Sequence, residues 1–231
     1  MTGGGREYHF RDALMGFFEF PTTNAMQLIP KGLQPVEPRH GLGVLGVTAF
    51  EFERSEVGAY REVVLSVLVA PRVLPGEIMP RTAMYPFMIG TTTAAARRHG
   101  IEVWRLPHLP DDLEVTCECR DGTATVHAEQ GGVPILTLSI VAPQRVPWQP
   151  AAHRYQTFSR DEAGLYLSTL LLHGTLMESE EECGSLALHP HPFTAGVELE
   201  DVTLIPFREQ WMRAGVEIIH PLQPLQALTG R

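Results

Sequence analysis

The sequence is almost without lysine. Of its 18 lysines and arginines, Lys31 is the only lysine. An amine that attacks a carbonyl can therefore come only from Lys31 or from the N-terminus. We attribute the excess of arginine to a GC-rich genome, because arginine codons are rich in G and C. The scarcity of amines nevertheless restricts the covalent chemistry that the chain can perform.

Cysteines and long apolar runs are scarce as well. Cys117, Cys119 and Cys183 are the only cysteines, and a small, odd number in a chain of this length does not form a disulfide framework. No apolar run reaches the roughly 18 residues of a spanning helix. The N-terminus also lacks the basic and apolar segments of a signal peptide. We therefore expect a cytoplasmic protein that does not bind membranes.

Positive charge is limited too, because the formal net charge is −9. The acidic residues are spread along the chain, so it presents no basic surface for nucleic acid or for anionic lipids. Apolar residues make up 44% of the sequence, which is enough for a substantial core. No change in composition divides the chain. We expect one domain over residues 1–231, with residues 1–5 as a flexible tail.

What is present is typical of a β protein. The run REVVLSVLVA from Arg61 is apolar and β-branched, as in a buried strand. Asp121-Gly122 is a strong hairpin signal. Strands are expected over residues 44–54, 60–70, 113–120, 123–129, 133–142, 184–188, 195–204 and 214–219.

A few short helices are predicted between these strands. They cover residues 22–28, residues 91–98 before Gly100, and the stretch from Ser159 to His173, where Ser159 and Glu162 have capping-box spacing. The expected fold class is mainly β (α+β), an antiparallel sheet curled into a barrel or cone with short flanking helices. Curling hides the strand edges, and the interior is a natural ligand cavity.

Four segments, in this order, resemble the acetoacetate decarboxylase-like family. The likeness covers nearly the whole chain, and it implies the barrel fold and a homo-oligomer, a dimer or larger. The segments are Arg11 with LIPKGLQP at 28–35, GAYREVVLSV at 58–67, HGIEVWRLPH at 99–108 and REQWMRAGVEI at 208–218.

In that family a lysine with a depressed pKa condenses with a substrate ketone to form a Schiff base. The resemblance places His108 at the position of this lysine. Imidazole forms no stable imine with a ketone, so the family reaction cannot proceed here in its usual form. The signature arginine, the aromatic before the proline, the following cation and a second glutamate are replaced by Ile101, Leu106, Leu109 and a residue near Val47.

Three residues are candidates for catalysis. His108 is a candidate general acid or base, because imidazole titrates near neutral pH; alternatively, it fills the space of the lysine. Glu62 interrupts an apolar strand, so it faces a polar cavity or pairs with an arginine such as Arg61. The resemblance assigns Arg11 to a substrate carboxylate or oxyanion, whereas an exposed arginine near the terminus is the alternative.

Four further residues are candidates for substrate binding: Trp104, Tyr60, Glu102 and Leu106. They belong to the two family-like segments that also carry Glu62 and His108. Packing is the simpler interpretation of Trp104, and a structural role is the simpler interpretation of Glu102.

No metal and no cofactor are expected. Cys117 and Cys119 are adjacent on one face of a predicted strand, but no second pair of cysteines or histidines accompanies them. His189 and His191 belong to a proline-rich loop, and no phosphate-binding glycine loop follows a strand.

These residues predict an enzyme that uses the family cavity without a Schiff base. Its substrate would be a ketone, a β-keto compound or a polyketide-like small molecule in secondary metabolism, and its reaction a cyclisation, dehydration or isomerisation. The alternatives are a non-covalent β-keto acid decarboxylase and a non-catalytic binding protein for an apolar metabolite.

Overall fold

The computed structural model describes residues 4–73, 76 and 78–225. Its two α-helices are α1 (Thr22–Leu28) and α2 (Ala94–Trp104). Its strands are β1 (Arg6–Pro21), β2 (Leu42–Arg54), β3 (Tyr60–Val69), β4 (Ala83–Thr91), β5 (Glu114–Arg120), β6 (Thr123–Gln130), β7 (Val133–Val141), β8 (Gln149–Asp161), β9 (Gly164–Ser179), β10 (Ser185–Leu188), β11 (Arg208–Ile219) and β12 (Gln223–Pro224).

The large sheet closes into a barrel. Its strands follow the order β11-β1-β2-β3-β4-β8-β9, and β11 pairs with β9 to complete the circle. All of these pairings are antiparallel except β4 with β8. The chain between β4 and β8 forms α2 and strands β5, β6 and β7, which together with β10 make a second sheet in the order β10-β7-β6-β5. The predicted mainly β barrel with few helices is confirmed.

Strand β3 shows how the sequence divides inside from outside. Its alternate residues Tyr60, Glu62 and Ser66 line the interior of the barrel. Val63 and Leu65 point the other way into a core shared with the second sheet. Successive side chains of a strand face opposite sides, so a strand buried on both faces is apolar almost throughout. Glu62 is therefore an exception that faces inward.

Aromatic rings fill part of the barrel interior. Phe50 stacks on Phe52 with centroids 4.9 Å apart, and Phe52 lies 4.8 Å from Tyr60. Tyr8 continues the cluster, 5.7 Å from Phe52. These rings form a rigid floor, because large aromatic side chains bury much area with few rotatable bonds.

The predicted helix from Ser159 to His173 is wrong. These residues form the end of β8, a tight turn and most of β9, and Ser159 pairs with Tyr166. The Asp161 carboxylate accepts hydrogen bonds from the backbone of Ala163 and Gly164, at 2.8 and 3.2 Å, and so closes the turn. An Asp turn and a capping box use similar residues at similar spacing, which explains the error.

Helix α2 is displaced from its predicted position. It begins after Thr93, whose side chain accepts from Ala96 N, and it continues past Gly100 to Trp104. Arg105, with a φ of 54°, provides the left-handed end that we expected of Gly100. The segment from Ile101 to Trp104 is therefore helical too. Gly100 has a different function, described below.

Two further stretches differ from expectation. Residues 6–21 form the long strand β1, which the sequence did not reveal because nearly every residue from Ala13 to Phe17 is buried. The predicted strand at 195–204 is a loop with a short 3-10 turn. The side chain of Asn24 fixes this loop, donating to Gly196 O at 2.8 Å and accepting from Glu198 N at 3.1 Å. Residues 1–3 of the predicted tail lie outside the described residues.

Candidate functional site

The barrel encloses a cavity of about 90 Å³, measured as the volume that the centre of a water-sized sphere can occupy. All barrel strands contribute to its wall, and α2 covers one side with His99, Gly100 and Trp104. The wall is mostly apolar, with a few polar groups that point inward. Small-molecule sites generally combine these features. The cavity is therefore the candidate functional site.

Glu62 is the first ionisable group of the cavity. Its side chain extends from β3 into an apolar wall. Within the described residues it makes no hydrogen bond and no salt bridge, and neighbouring Arg61 turns outward to pair with Glu51 at 2.7 Å. Burial without a partner raises the pKa of Glu62 to about 8. Glu62 therefore holds a proton at neutral pH for most of the time.

Glu217 is the second ionisable group of the cavity. It is 5% exposed, projects from β11 and lines the same cavity. Strands β1 and β2 separate β11 from β3, so the two glutamates belong to different walls. Burial, together with the negative charge of Glu62, raises the pKa of Glu217 to about 8. Two such carboxyls titrate as a coupled pair, and with both pKa values near 8 each holds its proton at neutral pH for most of the time.

Tyr8 joins two side chains of α2 in the cavity wall. Trp104 Nε1 donates to the Tyr8 hydroxyl at 2.8 Å, and this hydroxyl lies 2.6 Å from His99 Nε2. The same nitrogen is 3.3 Å from the half-exposed carboxylate of Glu56. Burial raises the pKa of Tyr8 and, as the largest cause, lowers the pKa of His99. Both groups are therefore neutral at pH 7.

A further group of polar side chains lies on the wall formed by β8 and β9. Thr157, Ser159 and Ser168 line the cavity there. Ser168 Oγ donates to His220 O at 2.5 Å. Ser159 Oγ is buried and has no hydrogen-bond partner among the described residues. It is thus available to a ligand.

The predicted catalytic residue Arg11 lies outside the barrel. A β-bulge between Phe10 and Asp12 interrupts the register of β1, and the Arg11 side chain, 53% exposed, turns towards Glu51 and Asp12. It borders a surface depression that also holds Arg213. The structure therefore does not bring Arg11 together with Glu62.

His108 does not line the cavity either. Its loop runs along β4, where Leu109 N donates to Ile89 O at 2.8 Å. The ring packs against Gly100 of α2, and neither ring nitrogen has a hydrogen-bond partner among the described residues. Burial, with a smaller effect of Arg97, lowers the pKa of His108 to about 4. The structure therefore places a neutral histidine against α2, next to the cavity wall but not among its lining residues.

Of the four residues predicted to bind substrate, three line the cavity and one does not. Tyr60, Trp104 and Leu106 line the cavity, whereas Glu102 is on the exposed face of α2. Trp104 is packed in the core and also lines the cavity, where its Nε1 donates to the Tyr8 hydroxyl. The side chain of Glu102 points away because the helix continues through this position.

Lys31 is exposed and lies beside Pro30 and Arg160 in a shallow depression outside the barrel. The position near Val47, where a second family glutamate was expected, faces the outer core. Across the described ranges, no cluster of three or more histidine, cysteine or acidic side chains is arranged to hold a metal. In the same residues, no helix is both long and apolar enough to cross a membrane.

The sequence model of the family described as acetoacetate decarboxylase (ADC) matches residues 4–193. The chain belongs to this family. No protein with curated annotation matches the sequence. The matched region includes Glu62, Trp104 and His108 but ends before β11.

Solved structures show the same fold at low identity. A structure of acetoacetate decarboxylase has a TM-score of 0.68 at 12% identity, over 98% of this chain and 91% of that one. Acetoacetate decarboxylase from Legionella pneumophila gives a TM-score of 0.68 at 15% identity, over 97% and 88%. The enduracididine biosynthesis enzyme MppR, complexed with pyruvate, gives 0.62 at 11% identity, over 95% and 90%.

Sequence reasoning missed Glu217, Tyr8 and His99. A signal for Glu217 was present, because it interrupts the apolar run Val216–Ile219 in the same way that Glu62 interrupts its strand. For Tyr8 there was none, because β1 itself was not predicted. His99 was read as part of a family-like segment, and only the position of α2 brings it next to Tyr8.

Proposed function

We propose that this protein is an enzyme that moves protons on a ketone, β-keto or polyketide-like small molecule without forming a Schiff base. The observation that carries the proposal is the pair of unpartnered, buried carboxyls, Glu62 and Glu217, in one cavity. The only lysine, Lys31, lies outside that cavity. Family membership and the structural similarity to the enduracididine biosynthesis enzyme MppR support a place in secondary metabolism.

The chemistry follows from the protonation states of the pair. One glutamate, in its ionised form, removes a proton from the carbon next to the carbonyl. The C–H electron pair forms the enol double bond, while the carbonyl oxygen takes a proton from the other glutamic acid. A general acid and base work best with pKa values near the working pH, and burial provides this here.

The enol then determines the product. Reprotonation at another carbon gives isomerisation, loss of a β-hydroxyl gives dehydration, and attack on a second carbonyl gives cyclisation. The apolar wall of the cavity favours compact conformations of a flexible substrate, which helps ring closure. Tyr8 and His99, which are in contact at 2.6 Å, line the same cavity and place further polar groups near the pair.

The non-covalent decarboxylase is less well supported. That reaction needs a cation to hold the substrate carboxylate, and Arg11, the residue predicted for this, lies outside the barrel. A binding protein without catalysis remains the competing function, and the experiment below separates it. Residence in the cytoplasm and assembly into a homo-oligomer stay predictions.

The test is exchange of the α-protons of 2-octanone in D₂O, followed by proton NMR. We expect the protein to accelerate exchange, and Glu62→Gln and Glu217→Gln each to reduce it by about 10²-fold or more, the usual size of a general acid or base contribution. Lys31→Arg is the matched control and keeps the wild-type rate. Borohydride added with the ketone yields no covalent adduct.

Each other result has a defined meaning. Exchange that survives both glutamine substitutions overturns the assigned roles. An adduct mapped to Lys31 or to the N-terminal amine overturns the proposal that no Schiff base forms. Binding of the ketone without any exchange supports the non-catalytic binding protein.

A further inference from the structure

The charges around the cavity restrict what can enter it. Among its described lining residues there is no lysine and no arginine. Arginines near the barrel wall are already paired on the outside, Arg6 with Glu56 and Arg61 with Glu51. A carboxylate placed in the cavity would therefore lose its hydration without gaining a cationic partner, which is costly.

The two glutamates add to this restriction. Glu62 and Glu217 face the cavity from different walls, and their environment also includes Tyr8, Tyr60 and His99. If either glutamate is ionised, it repels an anion. If both are protonated, each presents an O–H donor that needs an acceptor oxygen. The ionised state therefore repels a bound carboxylate, and the protonated state offers it hydrogen bonds but no cation to offset its lost hydration.

Ser159 supplies a separate polar anchor on the β8 wall. Its hydroxyl is buried, lines the cavity and has no hydrogen-bond partner among the described residues. A ligand oxygen near Ser159 would satisfy this group, which otherwise remains unpaired at a cost. The intervening wall is apolar and includes Met15, Val64, Met84, Ile89, Leu170 and Leu172.

We propose that the cavity takes an uncharged, largely apolar ligand with acceptor oxygens at the glutamates and at Ser159, and that it excludes carboxylates. This substrate class rests on the proposed function but goes beyond it, because it rules out free keto acids and favours neutral ketones, esters and lactones. A protonated amine would pair with the ionised glutamates, but both carboxyls would first have to release their protons. The amine is therefore the competing ligand in the test.

The test compares 2-octanone, octanoate and octylamine, which have equal chain length and differ in charge. Their dissociation constants are measured by isothermal titration calorimetry at pH 6.5. We expect 2-octanone to bind at least about tenfold more tightly than either charged probe, a difference that calorimetry resolves readily. Tighter binding of octanoate or of octylamine overturns the proposal.

Two sets of variants locate the effect. Val64→Phe fills the middle of the cavity and should abolish binding of 2-octanone; Leu170→Trp is a second blocking variant in case the first does not fold. Glu62→Gln/Glu217→Gln removes the negative charge that the pair carries above its pKa of about 8 but keeps hydrogen-bond donors. Measured at pH 9, octanoate should gain affinity relative to 2-octanone in this variant. An unchanged ratio of the two affinities overturns the assignment of selectivity to the glutamates.

Binding and turnover give independent answers. If the ketone is preferred but its α-protons do not exchange, the proposed function fails and the ligand class stands. If exchange occurs but octanoate binds more tightly, the ligand class fails and the acid–base roles of the glutamates stand.

Discussion

Gly100 faces His108 so closely that a Cβ at position 100 would lie 2.0 Å from the Nε2 atom of the ring. The family resemblance directed attention to His108 as a successor of the reactive lysine. The structure instead shows a close contact between the loop after α2 and the middle of α2. This contact fixes the position of the helix that also supplies His99 and Trp104 to the cavity wall.

Gly100→Ala should destabilise the protein, because the buried ring cannot move away without disturbing its neighbours. We expect a loss of about 1–3 kcal/mol in the free energy of unfolding, which is typical of overpacking. His108→Ala removes the obstruction. In that background, the same Gly100→Ala change should stabilise the helix by about 0.5–1 kcal/mol, since alanine is the better helix former.

Chemical denaturation of the four proteins in this cycle measures the coupling directly. A destabilisation by Gly100→Ala of the same size in both backgrounds would refute the packing role of His108. The comparison also guards against a simple loss of folding, because the double variant is expected to be more stable than His108→Ala alone.

His108 should also make the protein sensitive to acid. Its pKa falls from 6.5 to about 4 on folding, so the folded state binds fewer protons than the unfolded state between these values. The contribution of His108 to the free energy of unfolding is therefore fully present above pH 6.5, the unfolded pKa, and is lost as the pH falls towards 4. His108→Gln should lose about 2 kcal/mol less than the wild type between pH 6.5 and pH 4.5. Urea denaturation at the two pH values is the measurement, and equal losses would contradict the assignment.

The glutamate pair should have the opposite effect. The pKa of each carboxyl rises from 4.5 to about 8 on folding, so the folded state binds more protons than the unfolded state in that range. Stability is lost as the pH rises from 4.5 towards 8. Glu217→Gln carries no titrating group at this position and should gain about 3 kcal/mol relative to the wild type between pH 5 and pH 8. Glu102→Gln, at an exposed position, is the matched control and should show no such gain.

Removing the Tyr8 hydroxyl should separate proton supply from ligand binding. Tyr8→Phe keeps the ring but breaks the bonds to Trp104 and His99. We expect ketone affinity to change less than about threefold, while the rate of α-proton exchange falls by about tenfold or more, as expected if a cavity hydroxyl near the carboxyls assists proton transfer. Stopped-flow exchange and calorimetry on the same preparation test this. A parallel loss of affinity and rate would show that the hydroxyl only shapes the cavity.

Arg11→Ala tests the residue that the resemblance placed in the active site. Its side chain pairs with Asp12 and Glu51 on the outside of the barrel. We therefore expect α-proton exchange within about twofold of the wild type and a stability loss of no more than about 1 kcal/mol, the usual range for an exposed ion pair. A large fall in exchange at unchanged stability would return Arg11 to the site.

The sequence predicted the architecture better than the site. Strands with clear alternation or β-branched runs, such as β3 and β6, were visible because local pattern determines them. Strand β1 was hidden because it is buried on both faces, and the β8–β9 hairpin was hidden because an Asp turn resembles a helix cap. Contacts with distant parts of the chain, rather than the local sequence, determine both of these elements.

The site was only partly predictable for a similar reason. Glu62 could be identified because a carboxylate in an apolar strand needs a special environment. Its counterpart Glu217 lies in β11, 155 positions later, and nothing local shows that the two strands face one cavity. For Arg11 and His108 the resemblance gave the correct stretch of chain but not the direction of the side chain. A bulge in β1 and the glycine of α2 determine those directions.

Closure of the barrel by β11 has a consequence for how the protein is made. During synthesis β11 leaves the ribosome after the six other barrel strands, and among the described residues only the short β12 follows it. Until β11 pairs with its neighbours, the interior lacks one wall and the carboxyl of Glu217. A fragment that ends at residue 193 would contain the whole family-matched region without Glu217. If the two glutamates act as proposed, α-proton exchange would appear only when β11 is in place, so it would report closure of the barrel.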